Sequence, residues 1–387
     1  MGFFSGDGMA IDLGSSNTTI YLENEGIVLR EPTSVLTVID DRRSVLAVGG
    51  DAYAMQGRTG QQSERIMPVM DGAVTDCDLA ALLMVALAEK ATGRRKPMEK
   101  AQLVVSMSQG LTKVESEALK QSVRMTGAKR MILAKTPLAA ALGAGLKVDQ
   151  PRAAMVVVLG GSTTEIAVLS MGGIVAARSM RSGTFSMDEA IVRYLRRKKN
   201  IIIGVQTAED LKCDIGSAQL PEEDTEPLVI EKEADEADAH GETVAGEAIE
   251  ADAQEETKAA EDDVPQGERV LLKGRDAKTG KPTTVEITTR DIALALSESV
   301  QLLVDALRDA IMRVPAELAS DIMDAGICLS GGGALLSGLA ALLSTQTNVP
   351  VSVSDHPHED VILGLGLLAG DERVLRVAIE AGSAEEM

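Results

Sequence analysis

Met9-Ala-Ile-Asp-Leu-Gly-Ser-Ser-Asn-Thr-Thr-Ile20 reads as an apolar strand, a turn of glycine and small hydroxyl residues, and a second apolar strand. The pattern returns as Val156-Val-Val-Leu-Gly-Gly-Ser-Thr-Thr-Glu-Ile-Ala167. Each predicts a hairpin whose backbone N–H groups can face an anion. Two such hairpins can grip one polyphosphate tail from both sides. The copies differ at one position with chemical consequences: the first carries the carboxylate Asp12 where the second carries Val158.

Working outward, 387 residues with 45% apolar content suffice for two cores. Aromatic residues make up 2% and tryptophan is absent, so those cores are built from Val, Ile, Leu, Ala and Met. Cys77, Cys213 and Cys328 show no CxxC or Cys/His spacing. That argues against a metal site or disulfide framework and predicts a reducing cytoplasm. No apolar run approaches the ~18 residues of a membrane span, and Met1-Gly-Phe-Phe-Ser5 is too short for a signal peptide. The net charge of −21 is unevenly spread: Pro221 to Pro265 holds 18 Asp+Glu against Lys232 and Lys258, a net of −16. The remainder, at −5, is mildly acidic, and no nucleic-acid partner is expected.

Along the first half, strands are expected at 9–22, 26–39 and 45–49, and a helix over Asp76–Ala91 with Asp78 as its N-cap. A buried strand at Leu103–Met107, a helix over Lys113–Thr126 stopped by Gly127, and a strand at Met131–Ala134 follow. Pro137 opens a small-residue helix, Leu138 to Gly145, against which another backbone can pack closely. The second half restarts with the second hairpin, then helices at 186–199 and 207–217. Residues 221–266 read as an acidic insertion, disordered or partly helical. Order resumes with a hairpin, Arg269–Lys273 and Thr283–Thr288, a helix over Thr289–Val314, and a strand, glycine turn and helix start at Ile327–Leu336. The order predicts an α/β fold of two domains, 1–150 and 151–370, with a tail at 371–387.

Asp12 ends a strand beside a glycine turn, where a carboxylate can hold the hydration shell of Mg²⁺ against phosphate oxygens. A turn-capping Asp is the plain alternative for an isolated Asp-Leu-Gly. Gly331-Gly-Gly333 before a helix start can meet a phosphate or pack beneath an adenosine, or be only a tight turn. Glu209 and Lys212, three apart on one helix, read alone as a solvated ion pair.

The succession of hairpin, hairpin, Ala208-Glu-Asp-Leu-Lys212 and Leu329-Ser-Gly-Gly-Gly-Ala-Leu-Leu-Ser-Gly-Leu339 resembles the actin/Hsp70/sugar-kinase superfamily, a ribonuclease H-like architecture. The text between is similar to the bacterial MreB family of actin homologues, notably Gly26-Ile-Val-Leu-Arg-Glu-Pro32, Gly57-Arg-Thr59, Arg65 to Gly72, Pro137 to Leu146, Met187-Asp-Glu-Ala-Ile191 and Asp324 to Leu336. The resemblance implies an actin-like two-domain ATPase fold, ATP with Mg²⁺ in an interdomain cleft, and double protofilaments at the inner face of the cytoplasmic membrane. It also implies work with the cell-elongation machinery, guiding wall synthesis and keeping rod shape. Residue by residue, it assigns Asp12, Gly14, Ser15, Ser16, Asn17 and Thr18 to the first phosphate loop, and Gly160, Gly161, Ser162, Thr163 and Thr164 to the second. Glu209 and Lys212 become ribose and base contacts; Gly331, Gly332, Gly333 and Ala334 form the adenosine loop.

Departures from the family pattern matter as much. Val158 replaces the aspartate heading the second hairpin, and Lys135-Thr136 replaces a Glu-Glu whose second member orients the attacking water. Thr184-Phe185-Ser186 replaces Gly-Asp-Glu. A lost water-positioning group costs about 10²–10⁴-fold in rate, so the expectation is ATP binding with slow or absent hydrolysis, as a filament subunit or as a regulator of a companion filament. A kinase or chaperone-type ATPase of the same superfamily is the alternative, distinguishable by phosphotransfer to sugars and stimulation by unfolded peptide. Phe3, Phe4, Met98 and the basic stretch Arg94, Arg95 and Lys96 are the candidate membrane contacts, each cation contributing about 1 kcal/mol near an anionic surface.

Overall fold

Uninterrupted apolar runs at both hairpins predict strands covered on both faces, and both hairpins sit inside sheets of one design. The computed structural model describes residues 8–39, 41–55, 62–221, 229–233 and 267–387. Phe3, Phe4 and Gly57-Arg-Thr59 lie outside the described residues, as does the acidic stretch apart from Pro221 and 229–233. In the first sheet Gly8–Leu13 pairs antiparallel with Asn17–Leu22, and that strand antiparallel with Gly26–Pro32. On its other side Gly8–Leu13 runs parallel to Gln102–Met107, which runs parallel to Arg130–Lys135, with Ala384–Glu386 added antiparallel at the edge. In the second, Ala154–Leu159 pairs antiparallel with Thr164–Ser170 and that with Gly173–Met180, while Ile327–Ser330 and Val351–Val353 follow in parallel. The C-terminal strand aside, order and direction coincide, the arrangement that duplication of one unit leaves.

Successive residues of a strand face opposite sides, and here they serve different cores. Ile11 packs in a cluster with Leu83, Leu87, Leu103 and Val123, whereas its neighbour Ala10 packs with Leu138, Val156 and Leu365. The second cluster is closed by two helices, Thr136–Gly143 and Asp360–Gly370. Their approach is set by glycine: a Cβ on Gly143 would lie 1.8 Å from the Asp360 carbonyl oxygen, and one on Gly364 1.8 Å from that of Ala139. The close packing expected of the small-residue helix is therefore observed. Gly143→Ala and Gly364→Ala are each expected to destabilise the protein by about 1–3 kcal/mol by forcing the helices apart, read as a lowered urea midpoint; an unchanged midpoint would show that the crossing is not tight.

Two local expectations are corrected. The helix Cys77–Thr92 is capped by Asp76, whose side chain accepts from the Leu79 amide at 3.0 Å, not by Asp78. The Gly331–Gly333 turn does not open an α-helix: Gly332–Leu335 is a short 3₁₀ turn and the α-helix begins at Leu339. A run of glycines has little helical preference, so this turn offers backbone amides without a helix terminus behind them.

Packing divides the chain into a larger unit, Met1–Ser186 with Leu302–Leu335 and Ala340–Met387, and a smaller one, Met187–Gln301 with Leu336–Leu339. Both hairpin sheets belong to the larger unit. In the smaller unit Arg269–Asp276 and Pro282–Thr288 form the expected hairpin, and Ile201–Ile202 pairs with the far end of Arg269–Asp276. Val229–Glu233 joins this sheet parallel to Arg269–Asp276. Five residues of the expected disordered or helical insertion are thus strand, consistent with the β-branched pair Val229-Ile230.

Candidate functional site

The two hairpin turns are built alike and meet. The Gly14 amide donates to the Asn17 carbonyl at 3.1 Å and the Gly160 amide to the Thr163 carbonyl at 2.8 Å, so the same four-residue turn closes each. Ser15 Oγ and Ser162 Oγ are 2.5 Å apart, and the Asp71 amide donates to Ser162 Oγ at 2.8 Å. Gly161 permits this approach: a Cβ there would lie 3.1 Å from the Cβ of Ser16 and 3.0 Å from the Phe185 ring. In the first hairpin Thr18 Oγ1 bonds Thr33 Oγ1 at 2.8 Å, and Thr33 donates to the Gly14 carbonyl at 2.6 Å; Asn17 Nδ2 donates to Ser16 Oγ at 3.1 Å. In the second, Thr164 Oγ1 donates to the Ser182 carbonyl at 2.7 Å, and the Thr184 amide to the Gly160 carbonyl at 3.0 Å.

The glycine turn is brought to the same place. Gly331, at φ +83°, has its Cα where a Cβ would fall 2.3 Å from the Leu159 carbonyl oxygen, and the Gly331 amide donates to the Pro357 carbonyl at 2.7 Å. Gly333 and Ala334 are buried against the second hairpin, Gly333 close to Leu159 and Thr184. First loop, second loop and glycine turn therefore converge within the larger unit.

Register explains what became of the second carboxylate. Asp12 pairs with Thr19 and Thr19 with Arg30, while on the other side runs the parallel strand of Ser106, whose hydroxyl accepts from the Leu13 amide at 3.0 Å and helps hold the Asp12 carboxyl down. The matching row of the second sheet has Val158 opposite Glu165, Glu165 opposite Ser179, and Ser330 beyond Val158. Cross-strand partners share a face, so the second sheet has a carboxylate in the matching row, one strand over from Val158. Glu165 is 2% exposed and accepts from the Ser108 hydroxyl and, at 3.2 Å, from the Gln109 amide. Burial pushes its pKa up, with the Asp12 charge adding to the effect, while the Ser108 and Gln109 hydrogen bonds and Lys135 oppose it. With both oxygens engaged, Glu165 fixes the 108–109 loop beside the second hairpin. Sequence reasoning passed over it because only strand pairing reveals that it faces Val158.

Asp12 is pushed up to about 6, chiefly by burial, with Ser106 and Arg30 pulling the other way. At neutral pH it is ionised and able to hold a hydrated cation; through pH 6 and below it takes up a proton. Val158 is 6% exposed and belongs to the apolar cluster with Ala10, Leu138 and Leu365. Thr136 starts the helix Thr136–Gly143 and is half-buried.

Glu209 and Lys212 lie on the helix Val205–Ile215 of the smaller unit. The expected solvated pair is corrected by burial: Lys212 Nζ donates to Asp188 Oδ1 at 2.6 Å, and the side chains are 9% and 1% exposed. Burial raises Asp188 to about 6 in spite of that lysine. Asp188 is thus a second residue that sequence spacing did not single out. Of the membrane candidates, Arg94, Arg95 and Lys96 are exposed, whereas Met98 is 1% exposed in the core beneath them and cannot contact a bilayer. Lys96 also pairs with Glu99 at 2.7 Å. Among the described residues no helix is long and apolar enough to cross a membrane, and no cluster of three or more His, Cys, Asp or Glu could hold a metal ion.

Two duplicated sheets with facing glycine hairpins define the actin-like ATPase fold. Solved structures agree over nearly the full length: MreB5 of Spiroplasma citri bound to ADP superposes with a TM-score of 0.79 at 26% identity, covering 97% of this chain and 99% of that one. The same protein bound to AMPPNP gives 0.79 at 27%, covering 98% and 99%. The family model described as MreB/Mbl protein matches residues 6–266 and 243–376. The chain is 35% identical to the cell shape-determining protein MreB of Escherichia coli strain K12, covering 94% of this chain and 93% of that protein. It is 32% identical to the cell shape-determining protein Mbl of Bacillus subtilis strain 168, covering 93% and 95%. This chain belongs to the MreB/Mbl family.

Proposed function

We propose that this protein binds ATP with Mg²⁺ and assembles as a cell-shape filament subunit whose turnover is slow. The observation that carries the reading is the meeting of two hydroxyl-rich hairpin turns beside Asp12, supported by family membership and by the ADP and AMPPNP of the Spiroplasma relatives. The site residues suit such a ligand: glycines at Gly14, Gly160 and Gly161 leave the backbone open, the half-buried Ser16 and Thr163 offer hydroxyls, and the buried hydroxyls of Ser15, Thr18, Ser162 and Thr164 shape the turns through the bonds they make within the protein. Asp12 would hold the metal through water, and the metal would neutralise phosphate charge. Gly331 to Ala334 would carry the nucleoside.

Slow hydrolysis follows from Thr136 and Val158, neither of which can accept a proton from water. The partners in this reading are further copies, in double protofilaments or with a companion filament, the anionic inner face of the cytoplasmic membrane, and the cell-elongation machinery. Arg94, Arg95 and Lys96 are the described cations that would meet that surface, weakly for a monomer and strongly for a polymer that adds their affinities.

Equilibrium titration with Mg-ATP tests the site. Affinity is expected to fall about tenfold between pH 7 and pH 5 as Asp12 takes up its proton. Asp12→Asn should bind weakly at both pH values and lose that dependence. A pH-independent affinity, or wild-type binding by Asp12→Asn, would remove Asp12 from the site.

A further inference from the structure

Arg30 stands in the cross-strand row of Asp12, and its charge is felt there: it is one of the groups that pull the Asp12 carboxyl down. Among the described residues, the partner of its exposed guanidinium is a histidine and not a carboxylate. Arg30 Nη2 donates to His358 Nδ1 at 3.2 Å. An imidazole that accepts at Nδ1 carries its proton on Nε2, so the ring presents one N–H donor and the guanidinium keeps its others. His358 is itself held against the glycine turn: a Cβ on Gly332 would lie 2.8 Å from its Cε1. The Gly331 amide bonded to the Pro357 carbonyl fixes the preceding residue. One strand of the first sheet and the loop after the second thus meet beside the glycine turn, where His358 holds the guanidinium through its Nδ1 acceptor while its own Nε2–H points away from it. Of neighbouring charges, Glu359 favours the protonated ring while burial and Arg30 disfavour it, so the pair is held mainly as cation and neutral imidazole.

An arginine that meets no carboxylate among the described residues and is positioned by a neutral acceptor keeps the chemistry of a phosphate contact. We infer that Arg30, held in place by His358, forms an additional phosphate-binding contact of the nucleotide site, donating to a phosphate oxygen with the N–H groups that His358 does not take up. The inference rests on the nucleotide reading above. It adds residues outside the phosphate loops and the glycine turn, and it supplies positive charge to a site whose second hairpin has lost its aspartate.

The test is titration of the full chain with ATP, ADP and adenosine, each with Mg²⁺, for wild type, Arg30→Gln, Arg30→Lys and His358→Leu. Loss of one charge-assisted contact is expected to weaken ATP and ADP about tenfold in Arg30→Gln and severalfold in His358→Leu. Adenosine binding should be unchanged, Arg30→Lys should recover part of the loss, and the thermal midpoint of each free protein should stay within about 2 °C of wild type. Nucleotide affinities within twofold of wild type, or an equal loss for adenosine, would show that the pair only ties strand to loop and would overturn the inference. Wild-type protein that binds no ATP would overturn the nucleotide reading itself, and this inference with it.

Discussion

Thr136→Glu is expected to raise ATP turnover by about 10²-fold or more over wild type, the usual worth of a positioned proton acceptor. The position is half-buried at the first residue of the helix Thr136–Gly143, whose start is pinned by Pro137 and whose far end is locked by the glycine crossing with Asp360–Gly370. Val158→Asp is a poorer test, because Val158 is 6% exposed in an apolar cluster and a carboxylate would be buried there. Steady-state phosphate release decides the matter. A wild-type rate that Thr136→Glu leaves unchanged would mean that another group, with Glu165 as the nearest buried carboxylate in the row, already does the work.

Lys212→Ala is expected to destabilise the smaller unit by about 3–5 kcal/mol, the cost of leaving a buried charge without its partner. Asp188, 1% exposed, would then face its burial alone. Its folded-state pKa of about 6 lies above the unfolded value, so a native Asp188 binds its proton more tightly and the cost of keeping it ionised is felt as pH rises through that range. The deficit of Lys212→Ala should accordingly shrink as pH falls below 6. The double variant Lys212→Met with Asp188→Asn should recover most of the loss, which separates the unpaired charge from any loss of packing. Urea melts at pH 5 and pH 7.5 measure this, and equal deficits at both would show that Asp188 is not the source.

These two cases also mark how far the chain could be read before its structure. Hairpins, strand order within them and the Thr289–Met312 helix were legible because turn chemistry and apolar runs are local. The Lys113–Met125 helix is legible for the same reason, and a Thr112/Glu115 capping box starts it. In sequence Asp78 reads as a cap as readily as Asp76, because either carboxylate can cap, and backbone conformation decides between them. Gly331–Gly333 promised a helix that starts six residues later, since glycine carries no helical preference to read.

Long-range pairing stayed hidden. Lys212 sits three residues from Glu209 and bonds Asp188, 24 residues away, while Glu165 bonds Ser108, 57 residues away. Spacing could not find either pair, and the value of Glu165 depends on a register that places it opposite Val158. His358 has no metal-ligand spacing and shows its role only where Arg30 and Gly332 meet it.

A filament subunit that binds ATP and turns it over slowly, as proposed above, is expected to assemble on binding nucleotide without needing to hydrolyse it. Electron microscopy of the purified protein on anionic lipid monolayers, with and without Mg-ATP and with phosphate release followed in the same sample, tests it most directly. The account predicts paired straight filaments only with nucleotide, formed while far less than one phosphate per subunit is released. Filaments that need stoichiometric phosphate release, or lipid surfaces bare of filaments at saturating ATP, would contradict it.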